Sequence, residues 1–303
     1  MRSWLFIEGD NPGKMAKAPM VGADAVVVDL TGVPSGPGAA PLLDEIAEWL
    51  RAHNDPLIAK KAFARWVRIK PLDAPLWREE LLAVMGGSPE GVILPKATGN
   101  DQIRTLGSEL YEIEQKLGIK HNSTKIIPQI GETARAALTL HELTGDRQPR
   151  LNGFMWNAQN VARGLGAKRT RCNDGSWTDA LSHVRAMTLI LARSMGVMAI
   201  DTETGDPRNV ERGAVDAGFA RQDGFHGMVA SHPKQVAAIH QAYSLSASEK
   251  AEAEAVIGLA NSRSITEMLA EMEAGDESGQ SSPAAEPAPT PSATPLPGIR
   301  AIG

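Results

Sequence analysis

The sequence predicts a (β/α)8 barrel, and three observations support this fold class. Short apolar runs alternate with segments of helical spacing, and eight such pairs precede residue 245. Polar or charged residues follow most of the apolar runs, at the positions where parallel strands present ligand-binding loops. The length involved, roughly 240 residues, suits one closed barrel. A doubly wound open sheet is the competing fold, but eight units favour closure.

The predicted strands are short and rich in apolar, often β-branched residues, as expected for strands that are buried on both faces. In chain order they cover residues 3–7, 22–30, 66–70, 91–96, 126–130, 151–156, 197–201 and 227–232. The predicted helices cover residues 11–21, 42–52, 75–85, 101–117, 161–165, 182–195 and 209–220, with one more opening after the fifth strand. Pro19 should shorten the first helix, because proline lacks the backbone N–H that a helix interior needs.

Composition restricts the class of partner. The net charge of −5 argues against a nucleic-acid or anionic-membrane surface, so we expect a small-molecule substrate. Cys172 is the single cysteine, which excludes an internal disulfide and fits a reducing compartment. The N-terminus lacks the features of a signal peptide and no apolar run is long enough to span a bilayer, so we expect a cytoplasmic protein.

The composition changes beyond the barrel, which we assign to residues 1–245. Residues 246–274 are rich in Ala and Glu and predict a C-terminal helix. Residues 275–303 are dominated by Ser, Pro, Ala and Thr and cannot bury enough apolar surface to fold alone, which predicts a disordered tail.

Two charged residues at predicted strand ends are candidates for a functional site. Glu132 follows the fifth strand, where an acid can serve as a metal ligand or base; alternatively, it is an acid favoured by the dipole of a helix's first turn. Lys96 ends the fourth strand and either neutralises a phosphate or carboxylate or only solvates the rim.

Six motifs occur in an order and spacing typical of one family. They are RSWLFIEGDNPGKMAKAPMVGADAVVVDL, WVRIK, GVILPKA, IIPQIGETARAAL, GFMWNAQNVARGLGA and ASHPKQV. Over about residues 2–245 the chain resembles the HpcH/HpaI aldolase and citrate lyase β-subunit family. This resemblance implies a homo-oligomeric (β/α)8 barrel with Mg2+ at its mouth. It also implies cleavage or formation of a carbon–carbon bond next to a carbonyl, on coenzyme A or carrier-protein thioesters or on 2-oxo acids.

The resemblance also implies roles for individual residues. Arg68 matches the arginine that holds the substrate's carboxylate or carbonyl, a task that suits a planar guanidinium. Asp29 is expected to orient Arg68 or to help hold metal-bound water, with capping of a loop as the alternative. Glu132 matches the first metal-binding acid, and Asn160 stands where its partner aspartate is expected.

The chain departs from the family pattern in three places, and the change at Asn160 should weaken the predicted Mg2+ site. Asn160 and Gln159 replace two acids, and an amide oxygen ligates Mg2+ without contributing negative charge. An acidic pattern after the second strand is reduced to residues 29–32, DLTG, and no segment after Ala247 matches the family's aspartate-bearing lid.

Three functions therefore stay open. The first is a Mg2+-dependent carbon–carbon lyase or aldolase with Arg68 and Asp29 as catalytic residues and Lys96 as a second substrate-binding residue. The second is a noncatalytic binding or assembly relative, and the third is a thioesterase on the same scaffold. The basic cluster at residues 168–171 either contacts a coenzyme A phosphate or forms a solvated loop.

Overall fold

The computed structural model describes residues 1–54, 63–145, 148–206, 208–246, 248–252 and 254–255. Eight parallel strands close into a barrel in sequence order, and β8 pairs with β1. The predicted (β/α)8 fold is confirmed. The strands are β1 Ser3–Glu8, β2 Ala25–Asp29, β3 Ala64–Arg68, β4 Gly91–Ala97, β5 Lys125–Ile130, β6 Gly153–Met155, β7 Met198–Asp201 and β8 Gly227–Ala230.

Helices surround the barrel, and most lie within a few residues of the sequence prediction. They are α1 Pro12–Val21, α2 Ala40–Ala52, α3 Trp77–Met85, α4 Asn100–Leu117, α5 Ala134–Leu138, α6 Ala158–Gly164, α7 Asp179–Ser194, α8 Val210–Asp223 and α9 Pro233–Ala242. The sequence had not indicated α9 as a separate helix.

The prediction that Pro19 shortens the first helix is wrong, since α1 continues through it to Val21. Proline cannot donate a hydrogen bond to the carbonyl four residues earlier, which belongs to Met15. That oxygen instead accepts a hydrogen bond of 3.0 Å from the indole Nε1 of Trp49 on α2. The tertiary contact replaces the missing helical bond.

The barrel interior is filled by alternate strand residues, because side chains along a strand point to opposite faces. Trp4 and Trp66 meet there edge to face, with ring centroids 5.1 Å apart. Gly91 makes room for the second ring, since a Cβ at this position would lie 2.2 Å from the Trp66 side chain. A larger apolar layer joins the outer faces of the strands to the helices. The packed interior leaves the carboxyl ends of the strands as the open face.

The chain divides into two units, Met1–Ser244 and Leu245–Gly303. Within the predicted C-terminal helix, residues 248–252 and 254–255 are helical. The part of that helix from residue 256 onward and the predicted tail, 275–303, lie outside the described residues and stay predictions. In the described ranges, the helices are all too short or too polar to cross a bilayer.

Candidate active site

The candidate site is a cleft of about 500 Å³ at the carboxyl ends of the strands. Residues that follow β2, β3, β4 and β5 line it together with the side of α6. Four of the residues predicted for the site contribute to its walls: Arg68, Lys96, Glu132 and Asn160. The fifth, Asp29, contacts Arg68 directly.

Arg68, the last residue of β3, extends into the mouth and is held there by neighbours on other strands. Its Nε donates to the Oε1 of Gln129 at 2.7 Å, and its Nη1 donates to the Oδ2 of Asp29 at 3.0 Å. Its Nη2 lies 3.9 Å from the Oε1 of Glu132. These contacts fix the guanidinium plane while one edge stays directed toward the cleft.

Asp29 combines two of the three roles considered for it. One carboxylate oxygen binds Arg68, and the other accepts hydrogen bonds from the backbone N and hydroxyl of Thr31, at 2.9 and 2.7 Å. The carboxylate therefore orients the guanidinium and also caps the loop after β2.

Gln129 was missed by the sequence analysis. It points into the barrel, where it is 1% exposed, and its Nε2 lies 3.4 Å from the Met155 sulfur while its Oε1 holds Arg68. The available signal was a polar residue within the apolar run 126–130, since a buried amide requires partners.

Glu132 is positioned by the loop between β5 and α5. It precedes Thr133, the N-cap of α5, so the alternative that placed it in a helix's first turn is wrong. Gly131 has a φ of +75°, and a Cβ there would lie 2.6 Å from Val184, so this bend requires glycine. The Oε2 of Glu132 accepts a 2.5 Å hydrogen bond from the backbone N of Lys96, which itself has a φ of +53°.

Asn160 lies in the first turn of α6, directly beside Glu132. Its Nδ2 donates to the Oε1 of Glu132 at 2.5 Å, and its Oδ1 accepts from Nη1 of Arg163 at 3.0 Å. Gly164 allows this approach, because a Cβ there would lie 2.2 Å from the Glu132 carbonyl oxygen. The two predicted metal ligands thus lie side by side. The amide N–H of Asn160 occupies the place next to the Glu132 carboxylate that a bound cation would take.

These residues fit a weak Mg2+ site. Glu132 supplies a carboxylate and Asn160 an amide oxygen, both of which are hard ligands, and Mg2+ commonly takes its remaining ligands from substrate and water. Two features oppose tight Mg2+ binding. Arg163 already donates a hydrogen bond to the amide oxygen of Asn160, and Glu132 and Asn160 together carry a single negative charge. No cluster of three or more His, Cys, Asp or Glu able to hold a metal occurs in the described part of the chain.

Glu203 is a carboxylate at the mouth that the sequence analysis did not identify. It follows β7 by two residues, is half-buried, and accepts hydrogen bonds from Asn157 Nδ2 at 3.2 and 3.3 Å and from Thr202 Oγ1 at 3.0 Å. Burial raises the pKa of Glu203; these hydrogen bonds and the charge of Arg68 oppose the rise without cancelling it. A signal was available in the sequence, since Glu203 is an acid two residues past the predicted seventh strand, where ligand-binding loops begin.

Asp201 and His232, the last residues of the predicted seventh and eighth strands, have structural contacts. Asp201 is buried, accepts from the indole Nε1 of Trp156 at 2.7 Å and pairs with Arg185 at 2.7 Å. His232 is the N-cap of α9 and forms a capping box with Gln235. His232 therefore stabilises the start of α9.

A second cleft, of about 550 Å³, lies on the other side of α6 and is strongly basic. Arg163 lines both clefts, and Lys168 and Arg169 line the second. The third cation of the basic cluster, Arg171, also lines this cleft, but it pairs with Asp216 at 2.7 Å and stacks on Trp177. Arg163, Lys168 and Arg169 are the other cations of a surface that continues from the candidate site.

Comparison with known proteins places this geometry in a family. The model of the family HpcH/HpaI aldolase/citrate lyase matches residues 2–233. A citrate lyase subunit beta-like protein of Mycobacterium tuberculosis is 30% identical over 264 residues, which cover 86% of this chain and 85% of that protein.

Solved structures of protein CitE from Mycobacterium tuberculosis share the fold. The complex with magnesium and acetoacetate has a TM-score of 0.64 at 29% identity and covers 81% of this chain and 91% of that one. The complex with magnesium, acetoacetate and coenzyme A has a TM-score of 0.63 at 27% identity, with coverages of 87% and 88%. As its sequence motifs indicated, the chain belongs to the HpcH/HpaI aldolase/citrate lyase family.

Proposed function

We propose that the protein is a carbon–carbon lyase or aldolase that acts on a small carboxylated substrate, either an acyl thioester or a 2-oxo acid. The observation that carries this proposal is the guanidinium of Arg68, fixed by Gln129 and Asp29 in a cleft whose wall contains Glu132. A fixed guanidinium binds a carboxylate through paired hydrogen bonds and stabilises negative charge on a neighbouring oxygen. Cleavage of a bond next to a carbonyl generates that charge as an enolate.

Each predicted site residue has a defined part in this proposal. Arg68 binds the substrate's carboxylate or carbonyl, and Asp29 keeps the guanidinium in place. Lys96 brings a second cation to the rim for an anionic group. When bound, Mg2+ would be held by Glu132 and Asn160 together with substrate oxygens and would stabilise the enolate.

The basic second cleft supports a coenzyme A thioester as the substrate. Its cations, Arg163, Lys168 and Arg169, match the phosphate charges of coenzyme A, and Arg163 joins this cleft to the carboxylate-binding cleft. We expect the affinity for coenzyme A to fall with added salt and to fall at least tenfold in a K168Q/R169Q variant, because charge-assisted contacts are worth about 1.5–3 kcal/mol each. Pyruvate affinity should not change in this variant.

A noncatalytic binding protein is the second candidate, favoured by the hydrogen bonds of Asn160. Its amide donates to Glu132 and accepts from Arg163, so both ends of the side chain are satisfied by protein groups. Such a protein would bind carboxylates through Arg68 without cleaving them.

Calorimetric titration with Mg2+ and with oxaloacetate or pyruvate tests the proposal. We expect Mg2+ to bind at millimolar concentration and more tightly in the presence of the oxo acid, because the substrate completes the ligand set. The E132Q variant should lose Mg2+ binding, whereas E79Q, at an exposed acid on α3, should bind as the wild type does.

Two results would separate the candidates. Carboxylate binding without any response to millimolar Mg2+ would favour the noncatalytic protein and contradict the lyase. Mg2+-dependent turnover of a carboxylated thioester or oxo acid that is lost in E132Q would exclude the noncatalytic protein.

A further inference from the structure

A third carboxylate, Glu203, faces the same mouth as Asp29 and Glu132. It reaches the mouth from β7, which lies opposite β3 in the closed barrel. Its charge interacts with Arg68, the last residue of β3, which extends inward across the mouth. Glu203 therefore stands at the carboxyl-end mouth of the barrel, within electrostatic reach of Arg68.

A chain of hydrogen bonds also links Glu203 to the predicted metal ligands. Asn157, the N-cap of α6, donates through Nδ2 to Glu203 and accepts through Oδ1 from the backbone N of Asn160, at 2.9 Å. Asn160 in turn donates to Glu132. Asn157 thus positions Glu203 and connects it to the ligand pair. Because Asn157 is neutral, it does not neutralise the negative charge of Glu203.

The three carboxylates differ in how they are compensated. Asp29 is paired with Arg68 at 3.0 Å, and Glu132 lies 3.9 Å from the same guanidinium. Glu203 forms no ion pair with any basic side chain of the described ranges; its partners are an amide and a hydroxyl. A carboxylate without a fixed cation is free to take up a proton, and burial raises the pKa of Glu203.

We propose that Glu203 is the catalytic acid–base group of the carbon–carbon lyase reaction; this inference rests on the function proposed above. The carboxylate accepts the proton of the substrate hydroxyl as the adjacent carbon–carbon bond breaks. The hydroxyl-bearing carbon becomes a carbonyl, and the electron pair of the broken bond passes to the other carbon as an enolate. Protonated Glu203 then returns the proton to the enolate carbon, so atoms and charge balance.

Exchange of methyl protons in D2O tests this step without knowledge of the natural substrate. Pyruvate and acetyl-CoA serve as probes, with full-length protein and Mg2+, and 1H NMR follows replacement of the methyl protons by deuterium. A base next to the methyl carbon must remove a proton for exchange to occur. We expect wild-type protein to catalyse exchange, with a rate that rises with pH through a transition above the ordinary pKa of glutamate. Within the described residues, the other charged groups at this mouth are Arg68, Lys96, Arg163, Asp29 and Glu132, and Arg68 opposes the upward shift.

The E203Q variant should lose about 10²-fold or more of the exchange rate together with that pH transition, since proton transfer by a positioned group contributes this much. It keeps the shape of the side chain and an oxygen that accepts from Asn157, so its pyruvate affinity and melting temperature should match the wild type. The control D206N, at an exposed acid of the same loop, should exchange as the wild type does.

Undiminished exchange in E203Q would overturn the role of Glu203 and leave the proposed lyase function intact. Exchange lost together with pyruvate binding would assign Glu203 to structure or binding and overturn the proposal. Absence of exchange with both probes in the wild type would overturn the lyase function and the role of Glu203 with it.

Discussion

At the scale of single residues, the site depends on how the charge of Glu132 is balanced. Its carboxylate accepts from Asn160 and from the backbone of Lys96, and the Arg68 guanidinium lies 3.9 Å away. Because these partners already compensate one negative charge, a divalent cation gains less here than it would between two acids. The strength of the metal site therefore depends on the residue at position 160.

The N160D substitution should strengthen Mg2+ binding. A second carboxylate beside Glu132 adds a negative charge and removes an amide donor, so we expect the dissociation constant to fall at least about tenfold. Calorimetry measures this change. The same substitution at Asn209, the N-cap of α8, serves as the control and should leave Mg2+ binding as it is. Unchanged affinity in N160D would show that the site cannot take the metal at this pair.

The R68K substitution tests the fixed guanidinium. Lysine cannot donate to both Gln129 and Asp29 while facing a substrate carboxylate, so pyruvate affinity should fall at least about tenfold. Calorimetry with pyruvate checks this result against R78K, a variant at an exposed arginine of α3 that pairs with Glu109. Equal affinities in R68K and the wild type would contradict the assignment of Arg68.

At the scale of elements, the continuation of α1 through Pro19 depends on one contact with α2. Pro19 removes the helical donor for the Met15 carbonyl, and Trp49 of α2 supplies the replacement. A helix interrupted by proline is thereby stabilised only in the folded context.

The W49F substitution should lower the free energy of unfolding by about 1–3 kcal/mol, beyond the effect of lost ring area, because it leaves a buried carbonyl without a donor. Urea denaturation measures this loss. The same substitution in a P19A background should cost less, since alanine restores a backbone N–H that can reach Met15. Equal losses in the two backgrounds would show that the indole stabilises the pair by packing alone.

At the scale of the whole molecule, we expect an ion pair at the N-terminal end of the barrel to contribute to stability in acid. Asp24 accepts three hydrogen bonds from Arg2 and lies 3.3 Å from the His240 ring. Burial alone would raise the pKa of Asp24. The hydrogen bonds from Arg2 and the charge of His240 outweigh this effect and lower the pKa to about 2. Its ordinary pKa is 3.8.

This depressed pKa predicts a specific pH dependence. The stabilisation is fully present above pH 3.8 and is lost as the pH falls through about 2, because only the unfolded chain binds the proton in that window. D24N should therefore be less stable than the wild type at pH 6, by about 1 kcal/mol after screening by water. The two stabilities should converge near pH 2, as measured by urea denaturation across pH. A difference that is independent of pH would contradict the role of the charge.

The expected homo-oligomer also belongs to this scale. Val215 and Phe219 lie one turn apart on α8 and are 49% and 55% exposed, so they form an adjacent apolar pair that we expect a second copy of the chain to cover. Mass photometry or light scattering should give a multiple of 32.2 kDa, and F219E should reduce it. The control M20E alters an apolar residue that is 78% exposed on α1 and should leave the mass unchanged. A wild-type mass of one chain would contradict the prediction.

By itself, the sequence determined the eight-fold alternation of strands and helices, the family, the placement of Arg68 and Glu132 at or next to strand ends, and the placement of Asn160 shortly after the sixth strand. Periodicity and strand ends are local properties, so they can be predicted without knowledge of distant contacts. The substitution at Asn160 was likewise visible as a departure from a motif.

The tertiary structure alone decided which groups partner one another. The continuation of α1 through Pro19 depends on Trp49, the orientation of Arg68 depends on Gln129, and the place of Glu203 depends on Asn157. Each of these pairs is separated by at least thirty positions along the chain, as the residue numbers show. Closure of the barrel brings the second and third pairs together, because it directs the ends of all eight strands to one mouth. The first pair meets where the outer helices α1 and α2 touch.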